Sequence, residues 1–265
     1  MIEISHLTKK FDNFTAVDDL SFKVEEGEVL GFLGPNGAGK STTMKVITGF
    51  LSASQGSVTV DGHDIATDPM AVKALIGYLP EGAPSYPDMT TLEFLDFIAE
   101  IRGYSGEEKR RRIEKVINDV ELRSVCHKTI DTLSKGFKRR VGLAQAILHD
   151  PKVLILDEPT DGLDPNQKHH VRKLIRNLAK DKIVIISTHI LEEVSAVCTR
   201  AIIIAGGRIL ADGTPKELEG RSTYAGAISV QLTQDFDLQA ALAGDQDIRA
   251  VEQAEDNARH YILLP

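Results

Sequence analysis

The chain has 265 residues, of which 42% are hydrophobic, so it is long enough for one large domain or two modest ones with a substantial core. Its formal net charge of −8 argues against a protein that wraps nucleic acid, because such a protein would carry a basic face. The two cysteines lie far apart, and the sequence contains neither a signal peptide nor an apolar run long enough to span a membrane. These features predict a cytosolic protein with reduced thiols.

The chain begins with paired strands. Alternating apolar and polar residues at 2–4 and at 20–24 are typical of half-buried strands. The loop between them carries two aromatic residues, Phe11 and Phe14. A further strand at 57–60 ends at an Asp-Gly turn of the hairpin type. We therefore expect a small antiparallel sheet in this region.

The segment 34–42 fits the P-loop pattern of Gly, four residues, Gly, Lys and then Ser or Thr. It follows an apolar run at 29–33 that predicts a buried strand, and it precedes a predicted helix at 41–47, so a chance glycine-rich turn is a poor alternative. The glycines allow successive N–H groups to meet phosphate oxygens at the positive end of that helix. Lys40 can then reach the β- and γ-phosphates, and the Ser41 hydroxyl can ligate Mg²⁺. The candidate phosphate-binding residues are Gly34, Pro35, Asn36, Gly37, Ala38, Gly39, Lys40, Ser41 and Thr42.

The pattern becomes helical from about residue 84 to 150. Thr90 precedes Glu93 by three residues, which is a capping box and predicts the start of a helix. Ser105 and Glu108 repeat this signal for a second helix with one apolar face. We expect a helical subdomain inserted into an α/β core.

Polar side chains follow two apolar strands in the second half of the chain. The run 153–156 ends at Asp157 and Glu158, and the run 183–186 leads to His189. Ligands of open parallel sheets lie beyond the carboxyl ends of the strands, so these groups and the P-loop can converge on one triphosphate. Asp157 is suited to hold Mg²⁺, and Glu158 is suited to act as the general base on a water. His189 can donate to the γ-phosphate, although it could instead satisfy only a local hydrogen bond.

The segment Leu133-Ser134-Lys135-Gly136-Phe137 precedes another helix with apolar positions. Together with the P-loop, the Asp-Glu pair and His189, in this order, it resembles the signature of ATP-binding-cassette (ABC) ATPases over roughly residues 1–215. The resemblance implies an α/β fold: a P-loop NTPase (RecA-like) core with an antiparallel β subdomain and an inserted helical subdomain. The pattern of the residues that follow adds a small C-terminal α+β appendage. Residues 1–220 would form the ABC ATP-binding domain. We expect a small β-α-β accessory segment at 221–265.

The resemblance also implies further site residues. In this family the signature helix contacts the γ-phosphate of a nucleotide held by the other subunit, which implies that Ser134, Lys135 and Gly136 bind nucleotide. Phe11 would stack on adenine. Glu81 lies where the family usually has a glutamine, and it can ligate Mg²⁺ but cannot donate an amide hydrogen bond. The signature itself departs from the common Leu-Ser-Gly-Gly-Gln at its third and fifth positions.

The resemblance implies an ATP-hydrolysing subunit, with ATP and Mg²⁺ at its site, that powers a separate integral membrane permease. It would work as a nucleotide-sandwich homodimer or paired cassette, in the cytoplasm at the inner face of the cell membrane, with Glu158 and His189 as catalytic residues. The segment Leu79-Pro80-Glu81 and the Leu-Ser-Lys-Gly signature resemble a subgroup of exporters that handle drugs, polysaccharides, gliding-motility components or copper-enzyme maturation. The permease would dock between the core and the helical subdomain. The aromatic residues in that region are Tyr86, Phe94, Phe97 and Tyr104.

Two alternatives belong to other functional classes. A soluble, non-transport ABC ATPase that acts on nucleic acid or ribosomes usually has two cassettes or a long coiled-coil insertion, and this acidic chain has one P-loop and no heptad run. A P-loop kinase or GTPase would lack the signature segment, and a GTPase would carry a guanine-recognising Asn-Lys-x-Asp motif, which is absent. We therefore expect no nucleic-acid partner.

Overall fold

The computed structural model describes residues 1–82, 86–222, 226–245, 247–253 and 259–264. The chain divides into two units, Met1–Thr214 and Pro215–Pro265. The first unit therefore ends at Thr214, a few residues before residue 220, where the sequence predicts the end of the ATP-binding domain. Pro84, at which the predicted helical subdomain begins, lies outside the described residues.

The first unit contains both strands and helices. Its strands are β1 (Ile2–Phe11), β2 (Phe14–Val24), β3 (Val29–Leu33), β4 (Gln55–Val60), β5 (His63–Asp64), β6 (Ile76–Leu79), β7 (Val153–Asp157), β8 (Ile183–Thr188), β9 (Arg200–Ala205) and β10 (Arg208–Gly213). Its α-helices are α1 (Lys40–Ile47), α2 (Pro69–Leu75), α3 (Thr91–Ile101), α4 (Gly106–Asp119), α5 (Lys135–Ile147), α6 (Pro165–Leu178) and α7 (Leu191–Val197). The sequence did not predict α2 and α7, because two helical turns are too short to show a clear apolar period.

The central sheet has the strand order β10-β9-β3-β8-β7-β6, and β3 pairs in parallel with both β8 and β9. Every residue of β7 and β8 is buried, as their near-continuous apolar runs predict for parallel strands covered on both faces. Successive residues contribute to different cores: Leu154 and Val184 belong to one hydrophobic cluster, and Ile155 and Ile185 belong to the other. The helical subdomain packs on the first cluster, and the antiparallel sheet packs on the second.

The antiparallel sheet has the order β2-β1-β4-β5, with Ile2 paired to both Val24 and Val60. The predicted loop with two aromatic residues is shorter than the sequence indicates. Both strands continue to the turn, so that Phe11 and Phe14 form the last cross-strand pair. This tight hairpin places the two aromatic residues directly opposite each other on neighbouring strands.

Both inserted helices begin directly after the predicted cap residue, but only the first has the capping hydrogen bonds. At α3 the Thr90 hydroxyl accepts from the N–H of Glu93 at 3.2 Å, and the Glu93 carboxylate accepts from the N–H of Thr90 at 2.8 Å. This confirms the first capping box. At α4 the predicted box is wrong, because the Ser105 side chain makes no cap bond and Glu108 accepts instead from Arg111 and Arg112. Charge-assisted bonds to arginine are stronger than a neutral cap bond, which accounts for the position of the Glu108 carboxylate.

The second unit contains α8 (Pro215–Gly220), β11 (Ile228–Gln231), α9 (Leu238–Leu242), β12 (Ala250–Gln253) and β13 (His260–Leu264). Its strands form an antiparallel sheet in the order β11-β13-β12. The sequence predicts only two strands and one helix here and does not predict β12. This strand has four residues and no clear alternation of apolar and polar positions. Across the described parts of both units, no helix combines the length and the apolar character needed to cross a membrane.

The two serine or threonine caps give a matched test of the helical subdomain. We expect Thr90→Ala to lower the free energy of unfolding by about 1 kcal/mol, because the N–H of Glu93 loses its acceptor. Ser105→Ala should have a clearly smaller effect, since that side chain caps nothing. Urea unfolding of both variants, followed by far-UV circular dichroism, measures the difference. Equal losses would contradict this account of the caps.

Candidate functional site

The loop between β3 and α1 is built for close approach of backbone to a ligand. Gly39 adopts φ +105°, and a Cβ at this position would lie 2.5 Å from the carbonyl oxygen of Ala16. Only glycine fits both conditions without strain. The buried Lys40 ammonium donates to the carbonyl oxygens of Gly34 at 2.7 Å and Pro35 at 3.0 Å. The loop thus encloses a positive charge at the N-terminus of α1.

The carboxyl ends of three parallel strands meet beside this loop. Leu33 at the end of β3 pairs with Thr188 at the end of β8, and Ser187 of β8 pairs with Asp157 of β7. Because β8 lies between β3 and β7, the P-loop and the two acidic residues share one edge of the sheet. The arrangement is the one that the sequence predicts for these strand ends.

The acidic pair is held differently at its two members. Asp157 is fully buried, and its Oδ1 accepts from the Ser187 hydroxyl, whereas its Oδ2 has no hydrogen-bond partner among the described residues. The Glu158 N–H donates to the carbonyl oxygen of Ser187 at 3.1 Å. The Glu158 carboxylate reaches the surface and lies 3.0 Å from Nδ1 of His189. An inner carboxylate and an outer one are therefore fixed next to each other.

A cavity of about 460 Å³ lies over these groups. It is lined by Phe14, Ala16, Asn36, Gly37, Gly39, Lys40, Ser41, Thr42, Glu81 and Glu158. Of the other predicted residues, Gly34, Pro35 and Ala38 form the remainder of the P-loop and do not line the cavity. Asp157 lies buried at the strand end, and His189 contacts the site through Glu158.

Phe14 lines the cavity, whereas Phe11, for which the resemblance implies adenine stacking, does not. Phe14 lines the cavity with 63% of its surface exposed. The Phe11 ring is outside the lining, and the Lys9 ammonium lies 5.0 Å from its centroid in a cation–π contact. The sequence did not predict Phe14 or Ala16 as site residues. The signal available for Phe14 was its place in a short connection between two predicted strands, close to Phe11.

The signature residues lie away from the cavity, at the N-terminus of α5. The Ser134 hydroxyl caps this helix by accepting from the N–H of Phe137 at 3.4 Å. Lys135 pairs with Asp161 at 2.7 Å, and this bond lowers the pKa of the Asp161 carboxyl. Gly136 is packed so closely that a Cβ would lie 2.8 Å from Oε1 of Gln167. Within one chain, the structure does not bring these residues to the P-loop cavity.

Comparisons with known proteins agree with this fold and site. The family model described as ABC transporter matches residues 17–161, and a model for AAA domains matches residues 128–195. The uncharacterized ABC transporter ATP-binding protein YxlF of Bacillus subtilis (strain 168) is 39% identical over 219 residues, which are 83% of this chain and 72% of that protein. The linearmycin resistance ATP-binding protein LnrL of the same organism is 34% identical over 265 residues, covering all of this chain and 84% of the relative.

A solved structure described as the ATP binding subunit of an ABC transporter has a TM-score of 0.77 and 31% sequence identity, covering 83% of this chain and 92% of that chain. The fold and the P-loop geometry define a P-loop nucleotide-binding ATPase. The chain belongs to the ABC transporter family, in which it is an ATP-binding subunit and an ATPase. These findings confirm the family and the fold class that the sequence predicts.

The two aromatic residues at the hairpin can be distinguished by ATP affinity. Because Phe14 faces the cavity, we expect Phe14→Ala to weaken ATP binding by about 1–3 kcal/mol, the usual value for a lost base–aromatic stack. Phe11→Ala is the matched control and should have a smaller effect. Equilibrium titration with a fluorescent ATP analogue measures both. A larger loss in Phe11→Ala would return the stacking role to Phe11.

Proposed function

We propose that the cavity binds the triphosphate of ATP and that Glu158 is the general base for its hydrolysis. The observation that carries this proposal is the Glu158 carboxylate, which lines the same cavity as Lys40 and lies 3.0 Å from Nδ1 of His189. As the water oxygen bonds to the γ-phosphorus, its proton passes to this carboxylate, and the bond to the bridging oxygen of ADP breaks. Phosphate and ADP are the products.

The P-loop positions the phosphates for this reaction. The N–H groups at the start of α1 and the Lys40 ammonium provide positive charge on the side of the cavity that faces the helix. Lys40 can exchange the two loop carbonyls that it now bonds for phosphate oxygens, which are stronger acceptors because they are charged. His189 is available to donate to the γ-phosphate from beside Glu158.

The residues present fit a Mg²⁺ ion that accompanies ATP. The unpartnered Oδ2 of Asp157, the Ser41 hydroxyl and the Glu81 carboxylate supply hard oxygen donors at or beneath the cavity. Mg²⁺ is usually held by one or two carboxylates together with substrate phosphates. When bound, Mg²⁺ would neutralise charge on the β- and γ-phosphates.

We infer that the active form is a dimer. Ser134, Lys135 and Gly136 begin a helix of 13 residues, but they lie outside the cavity of their own chain. Two chains related by a two-fold axis can each offer this helix N-terminus to the γ-phosphate in the other's P-loop. ATP would join the two chains, and its hydrolysis would release them.

We further propose that an integral membrane permease docks on the helical subdomain. A groove of about 650 Å³ runs between α3 and α4, with Leu92, Phe97, Ile113 and Ile117 among its lining residues. Tyr86 packs edge-on against Phe97 with ring centroids 5.3 Å apart and remains half-exposed. The apolar part of this groove, with the aromatic ring of Phe97, suits the apolar face of a partner helix. Charged residues such as Glu93 and Arg110 also line the groove and suit the polar residues of that helix.

The resistance function in the printed name of LnrL supports an exporter as the whole assembly. This chain would then work in the cytoplasm, at the inner face of the cell membrane. The alternative of a non-transport ABC ATPase lacks support from the names of the relatives, which are ABC transporter and resistance proteins.

The catalytic assignment predicts a trapped dimer. Glu158→Gln keeps the side-chain shape but cannot accept the proton, so we expect turnover to fall by on the order of 10²–10⁴-fold while ATP binding persists. The variant should elute as a dimer with ATP and as a monomer with ADP in size-exclusion chromatography at high protein concentration and low salt. A Glu158→Gln protein that hydrolyses ATP at the wild-type rate would overturn the assignment.

A second substitution tests the signature helix within the trapped variant. Ser134→Arg should abolish the ATP-dependent dimer without abolishing ATP binding. Ser105→Arg, at the start of another helix of the same subdomain, is the control and should leave the dimer intact. Loss of the dimer in both variants would argue against a specific role for the signature.

The docking groove predicts a change in complex formation. We expect the tagged wild-type chain, purified from detergent-solubilised membranes of its native cell, to retain a membrane protein with several spans. Phe97→Asp should lose this partner, because a charge is then introduced into the apolar groove. Met70→Asp, at an exposed position on α2 outside the groove, should retain it. Retention of the partner by Phe97→Asp would exclude this groove.

A further inference from the structure

Arg139 occupies an unusual position for a charged side chain. It lies on α5 with 6% of its surface exposed. Its guanidinium bonds three main-chain carbonyl oxygens: Nη1 donates to Pro80 at 2.8 Å, and Nη2 donates to Asp157 and, at 2.6 Å, to Glu158. A planar guanidinium with several fixed donors can span such a set of acceptors, and a shorter amide or a single ammonium cannot do so equally well.

The backbone that Arg139 bonds is itself in an uncommon conformation. Glu158 adopts φ +53°, in the left-handed region, which is unusual for a residue with a side chain. The next residue is Pro159, and a residue before proline normally adopts an extended conformation. Residues held in such sparsely populated conformations persist when their surroundings over-determine them, and they occur preferentially at active sites.

The bonds of Nη2 supply this constraint. The carbonyl of Asp157 precedes Glu158 and the carbonyl of Glu158 follows it, so one nitrogen holds both peptide groups that flank the residue. On the other side, the N–H of Glu158 donates to Ser187 of β8. These contacts fix the backbone from which the Glu158 carboxylate extends into the cavity.

We propose that Arg139 is a positioning residue that holds the catalytic Glu158 in its working geometry and couples it to the signature helix. Arg139 belongs to the helix that begins at Ser134, and its Nη1 holds the carbonyl before Glu81. The Arg139 side chain therefore connects three parts of the proposed site: the signature helix α5, the backbone of the general base Glu158, and the carbonyl next to the candidate Mg²⁺ ligand Glu81. Displacement of α5 against β7 would break these bonds and misalign the base. This inference rests on the proposed role of Glu158.

The neighbouring Arg140 provides a matched control. It is buried to the same degree, with 7% of its surface exposed, on the same helix. Its guanidinium, however, donates to the carbonyl of Val120 and the carboxylate of Glu121, both within the helical subdomain. A loss that merely reflects a buried arginine should appear in both residues, whereas a loss of positioning should appear in Arg139 alone.

The first measurement separates turnover from binding. We expect Arg139→Gln to lower kcat by about 10²-fold with little change in KM for ATP, since misplacing a catalytic group by about an ångström has this effect. Arg139→Lys, which keeps the charge, should lie between this variant and the wild type. Arg140→Gln should retain a kcat close to wild type, even if its thermal unfolding midpoint falls. Wild-type kcat in Arg139→Gln, or an equal loss in Arg140→Gln, would overturn the proposal.

The second measurement tests whether Arg139 acts through Glu158. In single-turnover hydrolysis of radiolabelled ATP with excess protein, adding Arg139→Gln to Glu158→Gln should lower the residual rate by less than about threefold, because the group that Arg139 positions is already disabled. A further 10²-fold loss would mean that Arg139 acts independently of Glu158 and would refute the inference. If Arg139→Gln fails to fold, the same cycle with Arg139→Lys decides. Wild-type hydrolysis by Glu158→Gln alone would instead refute the proposed function.

Discussion

The parallel pairing of β3, β8 and β7 is the constraint on which the site depends. It requires strands that are apolar on both faces, and the fully buried β7 and β8 meet that requirement. Because paired strands end together, Leu33, Asp157 and Thr188 reach one edge of the sheet although they are far apart in the sequence. A polar substitution within this layer would disturb the P-loop and the acidic pair at once, since both depend on the same register.

The helical subdomain contributes to the site in two opposite ways. Its α5 carries Ser134 outside the cavity of its own chain, so the proposed contact of Ser134 with a triphosphate requires a second chain. One turn further along the same helix, Arg139 reaches back into the core and bonds the backbone around Glu158. Arg139 therefore joins the subdomain to the core at the backbone of Glu158, and the proposed mechanism connects the orientation of the subdomain with hydrolysis.

Sequence reasoning succeeded where chemistry is local and failed where it depends on distant packing. The P-loop and the Thr90 capping box are defined by neighbours within a few residues, and both occur in the structure. The same rule predicts a capping box at Ser105, but the Glu108 carboxylate instead accepts hydrogen bonds from Arg111 and Arg112 on the next turn. The choice between Phe11 and Phe14 depends on hairpin register, which the pattern did not specify. The three carbonyl partners of Arg139 lie on two strand ends remote from it in sequence, so no motif could reveal them.

The folded-back Lys40 has a consequence for the entropy of nucleotide binding. A lysine side chain that becomes immobilised loses roughly 2 kcal/mol of rotamer freedom. In this protein the Gly34 and Pro35 carbonyls already fix the ammonium, so that loss occurs when the chain folds. A phosphate that replaces these carbonyls meets a charge that is ordered and partly desolvated beforehand. The loop thus acts as a preorganised receptor. Anion binding to it should carry a smaller entropy loss than binding to a mobile surface lysine, so its affinity should change less with temperature.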